Sequence, residues 1–443
     1  MKTIHSWSIA AAAVLLMLTS GCSPQRVVWS PDGTRAAVLD DKGLYLCDTN
    51  GKLSGLLVSN AAIAEWFPDS QKLALVLGSK YHSWADLQKN LRADERDQIV
   101  EAGQKILKEM IDGQDWKAGL KDTDNADAVA IYLKGTEGVK EKAGADWKDL
   151  DEKETDSCEL AVGTISGDQI SLGAALIQTL KKPVPLNLRI SPSGKAIAMT
   201  TDAGNRHGAR LWVVAADGSA PAQIVSDESC AHPDWTKDAR SLVYINASGA
   251  MTGDDDLRLS SLTRRQVINA AGAVEIQTNH EDLAGMLFDV NLGVRCLSDG
   301  RIFFVAYDVQ LPVTAEEMPS RPQVVACDPR HQTTLTRMIP RNVLEKLPDE
   351  LQFFEVSPDE KSLLMAAGKG AVMVLSLADG KLTSVQSPGK DDAPSFPSWR
   401  SNEVCYMSPA PTNSAGRTWE VNLWKNGTNR VISADWPLEF LSK

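Results

Sequence analysis

No Gly-x-Ser-x-Gly elbow occurs anywhere in the 443 residues, so the turn that presents a hydrolase serine is missing. Cys-x-x-Cys, His-x-His and His-Glu-x-x-His are absent too, which removes dithiol redox chemistry, the zinc knuckle and the helix-borne zinc site. The six histidines, His5, His82, His207, His232, His280 and His331, lie far apart. Gly368-Lys369-Gly370 is a fragment of a phosphate loop, and it falls between two strand patterns, where it reads as a turn. Beyond the first 25 residues no apolar run approaches the 18 needed for a helix to cross a bilayer. Positive charge is also short, with 46 basic residues against 58 acidic and a formal net charge of −12. That balance argues against nucleic acid and against adsorption to anionic headgroups. No catalytic residue, metal ligand or cofactor is assigned from these patterns.

What is present begins with the leader. Lys2 is the only formal charge before Arg26, and Ile9 to Leu18 form an apolar run suited to a signal peptide. Leu18-Thr19-Ser20-Gly21-Cys22 resembles a bacterial lipobox. The resemblance implies cleavage after residue 21, acylation of Cys22, and a short lipidated tether over 22–25. Two or three acyl chains anchor stably where one does not. Ser23 after the cysteine follows the Gram-negative sorting pattern for the outer membrane. The expected setting is the bacterial cell envelope, with the membrane reached through lipid alone.

A short turn then recurs seven times: Trp29-Ser30-Pro31-Asp32-Gly33, Phe67-Pro68-Asp69-Ser70, Ser191-Pro192-Ser193-Gly194, Trp235-Thr236-Lys237-Asp238, Leu297-Ser298-Asp299-Gly300, Ser357-Pro358-Asp359-Glu360 and Trp399-Arg400-Ser401-Asn402. Proline presets φ, Asp or Asn bonds nearby backbone, and Gly accepts the left-handed conformation that closes such a turn. An apolar strand follows the copies, as at Ala36 to Leu39, Leu73 to Leu77 and Leu363 to Ala366. A second pair of strands meets at Asn50-Gly51, Asp217-Gly218, Asp379-Gly380 and Asn426-Gly427, which are tight-hairpin residues. Four antiparallel strands per unit is the blade of a propeller.

The expected fold is therefore all-β: about seven four-stranded blades over 26–443, with edges near 26–59, 60–180, 181–226, 227–273, 274–341, 342–386 and 387–436. Ser30-Pro31-Asp32-Gly33, with Leu44-Tyr45-x-x-Asp48 in the third strand, resembles the repeat of TolB-like, WD40-like propellers. Such propellers bind proteins, peptides or sugars, or gate prolyl oligopeptidase-like enzymes, so the resemblance implies a fold and leaves the activity open.

Blade two carries an insertion, 81–157, with no proline and with 12 basic and 19 acidic residues. Ser83 can cap a helix whose apolar positions include Leu87, Leu91, Ile99, Ile106, Met110 and Ile111, with Gly113 to end it; a second helix is expected over 126–133. The other signals have plain readings. Asp254-Asp255-Asp256 lacks the alternation of a calcium loop and reads as a solvated connection. Trp29, Trp66, Trp235 and Trp399 sit at the repeated turn and read as blade packing. Cys47, Cys158, Cys230, Cys296, Cys327 and Cys405 share no spacing and mostly fall in apolar strands, as buried thiols do.

The pattern points to a non-enzymatic envelope lipoprotein that holds a protein or glycan. The alternative is an envelope hydrolase or lyase with its site at the propeller axis. Binding residues are not identifiable from sequence. If the first strand of each blade starts at one face, the short turns lie on the other. The connections between second and third strands, Tyr81 to Ser157, Thr201 to Ala209, Ala247 to Asp256, Tyr307 to Arg321 and Pro409 to Thr418, then share the first face, where binding is expected.

Overall fold

The computed structural model describes residues 26–80, 93–112, 156–179, 188–202, 209–226, 230–246, 259–288, 292–307, 323–331, 334–340, 351–367, 371–385, 394–409 and 418–438, with single residues 84, 88, 141 and 344. The leader with Cys22, the insertion apart from one helix, residues 126–133, Asp254 to Asp256 and Gly368 to Gly370 lie outside them.

Seven four-stranded antiparallel blades form a β-propeller. Blade one holds β1 (Val27–Trp29), β2 (Arg35–Leu39), β3 (Gly43–Asp48) and β4 (Val58–Ser59); blade two holds β5 (Ala61–Trp66), β6 (Lys72–Lys80), β7 (Asp156–Ser166) and β8 (Gln169–Leu172), with β9 (Ile177–Thr179) added beside β7. Blade three runs β10 (Leu188–Ile190), β11 (Ala196–Asp202), β12 (Ala209–Ala215), β13 (Gln223–Ser226). Blade four runs β14 (Cys230–Trp235), β15 (Ser241–Asn246), β16 (Leu259–Gln266), β17 (His280–Phe288). Blade five runs β18 (Arg295–Cys296), β19 (Ile302–Tyr307), β20 (Gln323–Asp328), β21 (Thr334–Arg337). Blade six is β22 (Leu351–Val356), β23 (Ser362–Ala367), β24 (Ala371–Ser376), β25 (Leu382–Val385), and blade seven is β26 (Ser395–Arg400), β27 (Glu403–Pro409), β28 (Trp419–Lys425), β29 (Thr428–Trp436). Within a blade the strands are called A to D in chain order.

Each of the seven sequence signatures is an A–B turn. In blades one to six it closes through the same backbone bond, as in Gly33 N–H to Ser30 O and Glu360 N–H to Ser357 O. Blade seven uses a shorter turn, with Arg400 opposite Glu403. The residue that closes the first six turns is left-handed in every case. Glycine supplies it at Gly33, Gly194 and Gly300, while Ser70, Ala239 and Glu360 hold φ of 56° to 60°. A left-handed L-residue costs about 1–2 kcal/mol, so tertiary packing must hold the non-glycine turns in shape. Part of that support is side-chain bonding within the turn: Thr236 Oγ1 donates to Asp238 Oδ1 at 2.6 Å, and Ser357 Oγ to Asp359 Oδ1 at 2.7 Å.

One expected edge is wrong. Blade four does not end at 273, because His280–Phe288 is its outer strand, paired with β16. The error has a local cause: Asn269 to Ala273 make a tight turn within the C–D connection, with Gly272 at φ +84° and a bridge from Ile268 to Val274, so the chain looks finished there. The end of β17 also pairs with β19, at Leu287 with Tyr307 and Phe288 with Ala306, which joins blades four and five into one eight-stranded sheet.

The core is a set of slabs between blades. Leu39, Leu44, Trp66 and Leu75 fill the space between blades one and two, and Trp235, Leu242 and Val213 that between three and four. The ring closes without a shared blade: Val27, Trp29 and Cys47 of blade one meet Cys405, Met407 and Trp436 of blade seven. Cys47, Cys158, Cys296, Cys327 and Cys405 are buried free thiols. Burial pushes Cys47 up to about 12 and Cys405 to about 11, which keeps both protonated and unreactive. Between β6 and β7 lies helix α1 (Ala93–Ile111), with Ile99 buried. No described helix is long and apolar enough to cross a membrane.

Candidate functional site

Strand A is the innermost strand, and its register decides what reaches the axis. The last residue before the turn pairs with the first apolar residue of strand B: Trp29 with Ala36, Trp66 with Leu73, Trp235 with Leu242, Trp399 with Val404. These tryptophans are inter-blade packing, as expected, and three also bond across the interface. Trp66 Nε1 donates to Val28 O at 2.8 Å, Trp235 Nε1 to Arg189 O at 3.0 Å and Trp399 Nε1 to Glu355 O at 3.2 Å. Each indole thereby fixes the preceding blade at one backbone position, the residue before its own counterpart.

That position forms a ring around the axis. Going round from blade one it holds Val28, Glu65, Arg189, Asp234, Arg295, Glu355 and Ser398. Five consecutive blades thus carry alternating charge. Ring side chains link neighbouring blades at three interfaces. Arg189 Nη1 lies 3.5 Å from Glu65 Oε1, Asp234 Oδ2 accepts the Cys296 backbone N–H at 2.8 Å, and the Arg295 guanidinium sits 5.4 Å over the Phe354 ring. The five charged residues line one cavity of about 240 Å³, whose outer wall is made by Pro192, Lys237, Ser357, Pro358 and Glu360 of the A–B turns. At that mouth Lys237 Nζ is 3.3 Å from Glu360 Oε1, and Glu360 also accepts from Ser298 Oγ at 2.6 Å, tying blades four, five and six together.

The electrostatics follow from burial. Desolvation pushes the Glu65 carboxyl up to about 7, Arg189 pulls it back, and Glu355 adds to the rise. Desolvation also opposes the charge on Arg189, but Glu65, Asp234 and Glu355 outweigh it and raise the group. Arg295 goes the other way, to about 10, through desolvation and repulsion from Arg189. It still carries its proton at neutral pH.

Sequence reasoning left the binding residues open, and none of these five was singled out. The trace was there: aligning the seven turns puts a charged residue in one register of an otherwise apolar strand in five blades. Of the histidines, His280 lies on the outer strand β17, away from the axis, and His82 and His207 are outside the described residues. Among the described residues no group of three His, Cys, Asp or Glu is placed to hold a metal ion.

No protein-family model and no curated protein sequence matches the chain. Solved structures match in fold. The chain is similar to TolB from Acinetobacter baumannii at 15% identity, over 62% of this chain and 61% of that one, with a TM-score of 0.36. It therefore spans less than two thirds of that protein's length. An oligogalacturonate lyase in complex with manganese matches at 14% identity, over 83% of this chain and 78% of that one, with a TM-score of 0.43. A prolyl endopeptidase matches at 10% identity, over 98% of this chain and 55% of that one, with a TM-score of 0.50. At these identities the likeness is one of fold: this chain is a seven-bladed propeller.

Proposed function

We propose that this protein is a non-enzymatic lipoprotein of the bacterial cell envelope, anchored through Cys22, whose propeller holds a protein or glycan on the face of its B–C connections. The observation that carries the reading is the asymmetry between faces. The A–B turns are all short, and six of the seven repeat one backbone bond. The B–C connections, which leave from the opposite ends of the B strands, run over 40–42, 81–155, 203–208, 247–258, 308–322, 368–370 and 410–418. Variable connections on a rigid frame are where recognition is usually housed.

The anchor belongs to the same picture. Ser23, Pro24 and Gln25 separate Cys22 from Arg26, and three extended residues reach about 10 Å. β1 begins at the B–C face, so the acyl chains would hold that face near the bilayer. A photo-crosslinking residue at Asn205 or Asn413, in cells, is expected to give one common adduct, and one at Asp32 or Asp359 none. The opposite pattern would overturn the assignment.

A second reading, an envelope hydrolase or lyase working at the axis, draws on the Glu65 carboxyl, whose pKa of about 7 suits a general acid. Turnover of peptide or acidic-glycan substrates that disappears in Glu65→Gln would favour it over the binding module.

A further inference from the structure

We propose that the rim of the seam between blades seven and one, built on Phe396 and Trp419, beds in the headgroup boundary of a phospholipid bilayer. Acylation of Cys22, on which this rests, brings the bilayer near; the rim adds a protein surface to the lipid anchor.

Phe396 holds a φ of +51°, a left-handed value that a bulky residue adopts only where its surroundings impose it, and Pro397 after it narrows the choice further. The cause is a bulge in strand A of blade seven. Ser395 lies opposite Met407 and Ser398 opposite Cys405, so Phe396 and Pro397 together face Tyr406 alone. Such bulges re-aim side chains. Here the Phe396 ring meets the edge of Trp419, with ring centres 6.0 Å apart. Trp419 opens β28, opposite Pro409 at the end of β27 and Trp436 at the end of β29, which puts the pair on the B–C edge. Both rings are half-buried against the seam cluster of Val27, Cys47, Val421 and Trp436, and part of each stays open. Exposed Pro409 and Pro437 extend the same edge.

The course of the chain says what covers this rim. β1 begins at Arg26 and packs against blade seven across the seam. Only Ser23, Pro24 and Gln25 separate Arg26 from Cys22, a reach of about 10 Å. The acyl chains therefore enter the bilayer beside Phe396 and Trp419, whichever way the rest of the face tilts. Blades one and six, on either side of blade seven, have the shortest B–C connections, 40–42 and 368–370, which leaves the rim approachable.

Charge decides the kind of contact. Arg26 lies 3.4 Å from Asp41, Lys42 is exposed, and buried Asp40 accepts the Lys42 and Gly43 backbone N–H groups. With Glu420, next to Trp419, the rim carries one net negative charge, so attraction to anionic headgroups does not hold it. Aromatic rings, one end apolar and the other wet, favour the boundary itself.

Photo-crosslinking of the acylated chain in phosphatidylcholine vesicles tests this, with p-benzoylphenylalanine in place of Phe396, of Trp419 or, at the opposite face, of Asp32. Phospholipid adducts, read by mass, are expected at 396 and 419 and not at 32, and high salt should leave them unchanged. Phe396→Gly should keep or raise the melting temperature, because glycine suits the left-handed backbone. It should also lower the lipid adduct at 419 about fivefold, as loss of a half-buried ring dictates. An unchanged adduct at 419 in that variant would make Phe396 seam packing and overturn the proposal. So would equal lipid adducts at 32, adducts to a second copy of the chain in place of lipid, or adducts that need phosphatidylglycerol and vanish in high salt. Absence of lipid adducts at 396 and 419 in a chain whose mass shows Cys22 acylated would overturn the rim contact and leave the anchor standing; an unacylated Cys22 would overturn both.

Discussion

The arc of blades two to six and the seam between blades seven and one solve the same packing problem by different means. Across the arc, neighbouring blades are linked by polar groups close to the axis: Glu65 to Arg189, Trp235 to the Arg189 carbonyl, Asp234 to the Cys296 N–H, and Glu360 to Ser298. At the seam those links move outward. The ring positions there are Ser398 and Val28, and among the described residues the buried Trp29 indole N–H finds no carbonyl and faces the Cys405 thiol. Instead the Arg400 guanidinium lies 4.3 Å from the Trp29 ring centre, and Trp436 Nε1 donates to Gly51 O at 2.8 Å. Among the described residues no strand is shared between the first and last blades, and side chains and one glycine contact hold the ring shut. Polar links can sit at the axis where the chain is continuous across the interface; the seam depends on outer contacts because its two blades meet only through tertiary structure.

The comparison can be broken at Gly51. It is left-handed at φ +83°, and a Cβ there would lie 2.3 Å from the Ile432 carbonyl on the outer strand of blade seven. Gly51→Ala is therefore expected to part the seam, at about 3–5 kcal/mol from strain and lost burial together. Urea denaturation and protease sensitivity near the chain ends would read it, and a wild-type midpoint would mean that blade seven is not held at Gly51.

Tryptophan substitutions sharpen the contrast. Trp235→Phe leaves the Arg189 carbonyl without its donor and should cost about 1–2 kcal/mol more than Trp29→Phe, whose indole N–H meets only the weakly accepting Cys405 thiol. Both changes remove similar volume, so the difference isolates the hydrogen bond. Equal denaturation midpoints would remove the distinction between the two interfaces.

Glu65 gives a smaller effect with a definite sign. Its folded pKa of about 7 lies above the ordinary 4.5 of a glutamate, so the folded state holds the proton more tightly than the unfolded state. The stability this adds is present below about pH 4.5 and is lost as pH rises toward 7. Glu65→Gln stays neutral. It should match wild type near pH 4.5 and exceed it at pH 8 by roughly 1 kcal/mol, discounted for the exposure that remains. Destabilisation at pH 8 would mean that the ion pair with Arg189 dominates. The smallest effect is expected from the insertion: β6 and β7 already pair through Lys80 and Asp156, so bridging them with a short turn should leave the ring's melting temperature almost unchanged. A molten product would make the insertion part of the core.

Much of the ring was legible in the chain because its signals are local. Pro31, Pro68, Pro192 and Pro358 set turn dihedrals, Asp-Gly and Asn-Gly close hairpins, and the apolar strand after each turn needs only near neighbours to be recognised. The fourth blade's edge was misread for the same reason, since Asn269 to Gly272 form a real turn that happens not to end a blade. The Trp contacts were anticipated as packing, but their carbonyl partners 38 to 46 residues away were not.

By itself the sequence determined the repeat, the turn chemistry, the hairpin order and the presence of charged residues at one register of strand A, all fixed by bonding within a few residues. Only the tertiary structure decided that these charges meet. Glu65 and Glu355 are far apart along the chain, and neither has an unusual local setting. The raised Glu65 carboxyl and the shared cavity arise because ring closure brings seven separate strands round one axis and removes water from between them.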